Sequence, residues 1–106
     1  MQTWQPLTLT ELNNIIHREE KLLVADLNDF WHRIKISPEK WKEEEYGKEG
    51  GGFWVVAIYK HKVIWYNDIE EGFNISDYKI LGQIEAYACE QDELRWAVRK
   101  LSEMVK

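Results

Sequence analysis

Seven consecutive residues, Phe53-Trp54-Val55-Val56-Ala57-Ile58-Tyr59, are all apolar or aromatic, so both alternating sets of side chains are hydrophobic. A strand with this pattern must have both faces covered and lie centrally in its sheet. The run is also far shorter than the roughly 20 residues that cross a bilayer. A chain of 106 residues built around such a strand is one small domain.

The flanking segments predict the rest of the sheet. Lys60-His61-Lys62 reads as a short polar turn into Val63-Ile64-Trp65-Tyr66, which makes an antiparallel hairpin. Asn67-Asp68 ends that strand. The stretch from Ile69 to Asp77 mixes turn residues with Phe73 and Ile75 and reads as a loop held down by those two side chains. A further strand is expected over Ile84 to Cys89.

Before the sheet, Thr8 and Glu11 have the spacing of a capping box, and Leu7 with Leu12 that of a hydrophobic staple. Leu9, Leu12, Ile15, Ile16, Leu22 and Leu23 recur at helical spacing, and Leu27, Phe30, Trp31 and Ile34 form a second stripe. An unbroken helix of about 27 residues is long for so small a domain, so two helices are expected. Ser37-Pro38 has the form of a cap followed by a first-turn proline, which predicts a short helix over about 38–42. The region 42–52, with Glu43-Glu44-Glu45 and Gly50-Gly51-Gly52, reads as a loop. A last helix is expected from Gln91 or Asp92 to about residue 105, with Leu94, Ala97, Val98, Leu101, Met104 and Val105 on its apolar face. Met1 to Pro6 reads as an entry strand or loop. The expected architecture is a single α+β domain over 1–106. Helices occupy about 8–36, an antiparallel sheet of three to four strands about 53–89, and a carboxy-terminal helix about 91–105.

Charge narrows the partners. The formal net charge is −5, and the lysines and arginines are scattered, which disfavours binding to a phosphate backbone. The amino terminus has no basic segment followed by an apolar one, and the single cysteine, Cys89, forms no internal disulfide. Together these features predict a soluble, unexported, cytoplasmic protein with no membrane association.

Catalytic signatures are missing from the pattern. Asn67-Asp68-Ile69-Glu70-Glu71-Gly72 is the densest polar group, but a calcium loop would need oxygen ligands where Ile69 and Tyr78 stand, so a solvated turn is expected. Phosphate-binding glycines follow a strand and open a helix, whereas Gly50-Gly51-Gly52 precedes a strand. His17, His32 and His61 lack metal-type neighbours and read as surface residues, and Cys89 reads as a small buried hydrophobe. The expectation is a non-enzymatic protein with no metal and no cofactor.

Aromatic content is the remaining feature: six tryptophans, five tyrosines and three phenylalanines in one small domain. Tryptophan and tyrosine join a large apolar area to a polar handle, so some are expected at a binding surface. The segments Gly51-Gly52-Phe53-Trp54-Val55-Val56-Ala57 and Val63-Ile64-Trp65-Tyr66-Asn67-Asp68-Ile69-Glu70-Glu71-Gly72-Phe73-Asn74 resemble those of a family of small, uncharacterised bacterial proteins. The likeness extends to Pro38-Glu39-Lys40-Trp41 and Gln91-Asp92-Glu93-Leu94, and it implies no activity. In layout, the order of helices, glycine-containing approach, β-meander and closing helix is similar to the SUKH-type immunity superfamily. That resemblance implies an acidic inhibitor steered onto a basic toxin domain.

The candidate partner-binding residues are Trp41, Glu43, Glu44, Glu45, Tyr46, Asp68, Glu70 and Glu71. An alternative reading is a small-ligand domain with an aromatic pocket between the sheet and the first helices. Its rim would be Trp54, Trp65 or Tyr87, and the 42–52 loop would close it. An exposed strand edge pairing with a second copy would make a homodimer in place of a monomer.

Overall fold

The computed structural model describes residues 5–48 and 51–104. The expected entry segment at Met1 to Trp4, Gly50 of the glycine triplet and Val105 at the end of the last helix lie outside the described residues. Helix α1 spans Leu9–Glu20 and opens on the expected capping box: the Glu11 amide donates to Thr8 Oγ1 (3.1 Å) and the Thr8 amide to Glu11 Oε1 (3.0 Å). Helix α2 spans Ala25–Ile34, beginning after Val24, whose extended backbone (φ −73°, ψ 162°) separates the two helices. Glu20 ties them together, accepting from Trp31 Nε1 at 2.7 Å and pairing with Lys35 at 3.2 Å. Burial raises this carboxyl, but the Trp31 and Lys35 contacts outweigh it and hold Glu20 below the usual carboxylate range.

The expected short helix at 38–42 is instead strand β1, Lys35–Trp41, which follows α2 without a loop. The Ser37-Pro38 pair matches a helix start, but sheet pairing overrides it. The strand lies at the edge of the sheet, and its ladder is interrupted between Lys35 and Glu39, where the missing proline amide breaks no ladder bond. Strand β2 (Phe53–Tyr59) and strand β3 (Lys62–Asn67) form the expected antiparallel hairpin. A register shift between Val55 and Ala57 lets Val56 and Ala57 both join the helix-side core. The expected loop at 69–77 is corrected to a turn followed by strand β4, Gly72–Asp77, which pairs with β3 along its whole length. The sheet is a four-stranded antiparallel meander in the order β1-β2-β3-β4, and helix α3, Leu94–Met104, completes an α+β fold. This last helix starts later than Gln91, at Leu94, whose amide donates to Glu19 Oε1 of α1.

One face of the sheet packs on the helices. Leu12, Ile16, Trp31, Ile34 and the apolar face of α3 meet Val56, Ile64, Tyr66 and Phe73 there. The opposite face carries Phe53, Val55, Val63 and Trp65, together with Trp41 and Ile84. What covers it is the segment 78–91, and the strand expected over Ile84 to Cys89 is corrected to an irregular strap. Side chains of the sheet hold this strap by its backbone. Asn74 donates from Nδ2 to the Glu90 carbonyl (3.0 Å) and accepts the Glu90 amide at Oδ1 (2.7 Å). Ser76 Oγ donates to the Ala86 carbonyl (2.7 Å) and accepts from Trp65 Nε1 (2.9 Å). Backbone bonds anchor the strap at the β4 edge, from the Phe73 amide to the Asp92 carbonyl and from the Glu85 amide to the Asp77 carbonyl. At the β1 end, the Lys42 amide donates to the Gly82 carbonyl and the Ile84 amide to the Lys42 carbonyl. No helix among the described residues is long and apolar enough to cross a membrane.

Candidate functional site

The 42–48 loop and the 67–71 turn both leave the same end of the sheet, the first from β1 and the second from β3. Glu43 builds the first. Its side chain is buried (3% exposed), and its two carboxylate oxygens accept the amides of Glu45, Tyr46 and Gly47 at 3.0, 2.6 and 3.0 Å. The turn is built the same way by Asn67, wholly buried, whose Oδ1 accepts the amides of Ile69 and Glu70 at 3.0 and 3.1 Å. Asn67 Nδ2 donates to the Ala88 carbonyl and to Tyr87 Oη, both at 2.9 Å, which fixes the strap against the turn.

Tyr87 is where the two loops meet. Its ring lies 4.3 Å from that of Tyr46, which is 49% exposed, and its other side touches Phe53 and Trp65 of the core. Burial pushes the Tyr87 phenol up, and the nearby Glu70 carboxylate adds to the shift against the Asn67 hydrogen bond. Glu44 and Glu45 are exposed on the same loop as Tyr46, with Lys48 3.8 Å from Glu44. The result is an aromatic pair with Glu70 acting on Tyr87 and with Glu44 and Glu45 exposed on the loop that carries Tyr46.

The eight residues expected at a partner surface therefore divide. Tyr46 and Glu70 both meet Tyr87, and Glu44 and Glu45 are exposed on the loop beside Tyr46. Trp41 does not join them, because it is buried (1% exposed) as the partner of Phe53 across the β1–β2 ladder, with its Nε1 donating to Glu39 Oε1 at 2.8 Å. Glu43 is likewise taken up inside its own loop. Asp68 turns toward the helix side, where Oδ2 accepts the Leu7 amide while buried Oδ1 has no partner among the described residues. Lys40, in charge contact with Asp68, sits 5.0 Å above the Trp54 ring. Exposed Glu71 acts, with Asp68, on Tyr66. Tyr87, the residue that joins the patch, was expected only as the rim of a pocket, and its place here follows from the strap.

The same geometry bears on the other sequence expectations. Trp54 packs with the helix-side core, whereas Trp65 and Tyr87 pack on the opposite face of the sheet, so the three do not rim one pocket. Cys89 is exposed, a correction to its expected burial, because the strap carries it past the edge of the core. His17, His32 and His61 lie at the surface as expected. Among the described residues no three His, Cys, Asp or Glu side chains converge as a metal site. Gly52 serves packing: it adopts φ +103° and its Cα faces the Trp41 carbonyl too closely for a side chain.

On the helix side, burial pushes the Asp68 carboxyl above the usual range, and the Leu7 amide and Lys40 pull against it. Burial also raises Glu19, against the hydrogen bond from the Leu94 amide. The Tyr66 phenol is pushed up to about 12 by burial and by Glu71, Asp68 and Glu19. A carboxyl whose pKa is raised by folding binds its proton more tightly in the folded state. Stability therefore rises as pH falls through the folded pKa toward the unfolded value. Asp68→Asn is expected to remove part of that gain, so that the difference in melting temperature between variant and wild type changes steadily from about pH 7 to pH 4. A constant difference across that range would show that Asp68 does not contribute.

Comparison with family models, curated proteins and solved structures gave no match for this chain.

Proposed function

We propose that the chain is a non-enzymatic, cytoplasmic, protein-binding domain that captures a basic protein partner, in the manner of a bacterial immunity protein that neutralises a toxin. The observation that supports this reading is the exposed Tyr46 ring, seated on Tyr87, with Glu70 acting on Tyr87 and Glu44 and Glu45 exposed on the loop of Tyr46. A rigid aromatic anchor supplies contact area at small entropic cost, and the surrounding carboxylates exclude acidic partners and speed the approach of basic ones. The net charge of −5 adds long-range steering of the same sign.

The test is affinity capture from native lysate at low and moderate salt, run in parallel with wild type, Tyr46→Ala and Glu70→Lys. A basic protein is expected in near-stoichiometric amount, depleted by salt and by either substitution. In a purified pair, Tyr46→Ala should weaken binding by about tenfold to a hundredfold, and Glu70→Lys should act mainly on the association rate. Equal capture by all three proteins, or capture indifferent to salt, would refute this reading.

A further inference from the structure

Three of the chain's four arginines, Arg33, Arg95 and Arg99, border one strip of surface formed by α2, α3 and the end of β2. The strip has two depressions. A groove of about 640 Å³ is lined by Leu27, Phe30 and Tyr59, with Arg33 and Arg99 beside them and Asp26 and Glu103 also on its wall. Next to it, a cup of about 100 Å³ is lined, among the described residues, by Leu22, Val24, Leu27, Trp96, Arg95 and Arg99. The two share Val24, Leu27 and Arg99, so the strip is continuous.

Its surface is unusually apolar for an exposed helix junction. Leu22, Val24 and Trp96 are 47%, 59% and 44% exposed. Trp96 lies under two guanidinium groups, Arg95 at 5.1 Å and Arg99 at 5.6 Å from its ring centre. Arg33 and Arg99 form no ion pair among the described residues, and Arg95, paired with Glu93 at 3.3 Å, keeps a buried Nε without a partner. Arginine is the side chain whose flat, weakly hydrated fork best takes a carboxylate beside apolar surface.

We propose that this strip is a docking site for an acidic amphipathic protein segment. One apolar side chain of the segment fills the cup between Val24 and Trp96, and carboxylates flanking it pair with Arg95 and Arg99. A second apolar side chain, farther along, enters the groove against Phe30 and Tyr59, near Arg33. The site is separate from the Tyr46–Tyr87 patch: β2 runs between them, and its seven residues span about 20 Å. The cup offers Arg95 and Arg99 beside Trp96, whereas Tyr46 lies on a loop that carries Glu44 and Glu45, so the two surfaces present different side chains to a partner.

The test uses the full chain, isotopically labelled for NMR, and a synthetic helical peptide with leucines on one face and glutamates on the other. A matched peptide with lysine for every glutamate is the control. The acidic peptide is expected to shift the signals of Leu22, Val24, Leu27 and the Trp96 indole, and Arg99→Glu is expected to weaken it about tenfold. Glu70→Lys, in the other patch, should leave it unchanged, which keeps failure of this site distinct from failure of the proposed toxin-binding surface. Four results would overturn the proposal. They are equal binding of the lysine peptide, shifts located elsewhere, dilution-dependent shifts of these residues in the chain alone, which would mark a second copy as the occupant, and tighter binding to phosphatidylglycerol vesicles than to the acidic peptide.

Discussion

Gly52→Ala is expected to lower the stability of the domain by about 3–5 kcal/mol, the range of severe backbone clashes and core disruptions. The Cβ it introduces would stand 2.2 Å from the Trp41 carbonyl oxygen, a backbone atom, and φ of +103° leaves no relaxed conformation for an alanine. Relief requires β1 and β2 to part at the point where Trp41 and Phe53 pair, which opens the strap-side core. For a domain whose whole stability is on the order of 5–15 kcal/mol, the melting temperature should fall by about 15 °C or more. Gly51→Ala is the control, since its Cβ meets nothing within 4 Å among the described residues and the positive φ of 76° is what opposes it. That variant should cost about 1 kcal/mol. Urea denaturation of the pair checks the comparison, and similar losses would mean that the approach of Gly52 to Trp41 is looser than described.

The second large effect is expected at Asn67. Replacement by alanine removes four hydrogen bonds from a side chain with no exposure and leaves the Ile69 and Glu70 amides and the Ala88 carbonyl short of partners. Buried groups left in this state cost about 1–3 kcal/mol each when water does not reach them, so a loss of about 3 kcal/mol is expected. The loss should be local before it is global: hydrogen exchange should quicken over 84–90 while β2 and β3 remain protected. It should also weaken partner capture, because Tyr87 would no longer support Tyr46. Uniform exchange across the sheet would instead make the strap part of a single cooperative unit.

The legible parts of the sequence were those whose side-chain pattern reports one environment. The run Phe53–Tyr59 announces a central strand because both its faces meet apolar material, and the Thr8–Glu11 box announces a helix because its partners are three residues apart. Strand β4 was hidden for a physical reason. In Phe73-Asn74-Ile75-Ser76 the polar positions face the strap and hydrogen-bond its backbone, yet in sequence they look like turn residues. The segment 84–89 has a strand's apolar content without a ladder: its Ile84 and Glu85 amides bond the Lys42 and Asp77 carbonyls, while its Ala86 and Ala88 carbonyls are taken by Ser76 and Asn67 side chains. Strand β1 was disguised by Ser37-Pro38, whose local preference the edge of the sheet tolerates. In the candidate site, Glu44, Glu45, Tyr46 and Glu70 could be named from charge and aromaticity. Glu43 looked identical to its neighbours, although Gly47 four residues later hints at a carboxylate folded back on its own loop. Nothing in the sequence joined Tyr87 to Tyr46, because that contact depends on where the strap crosses the sheet.

The strap has a further consequence for how the molecule behaves when crowded. A meander of four strands has two outer borders, each a template on which another extended chain could polymerise. Here the Asp92 and Glu85 bonds pin both ends of the β4 border, leaving only the backbone around Ile75 between them. The β1 border is broken beside Pro38, and Lys35 and Lys40 flank the break. Both borders of the sheet are thereby expected to offer little room to a further strand, so the asparagines that fasten the strap shield a border as well as the fold.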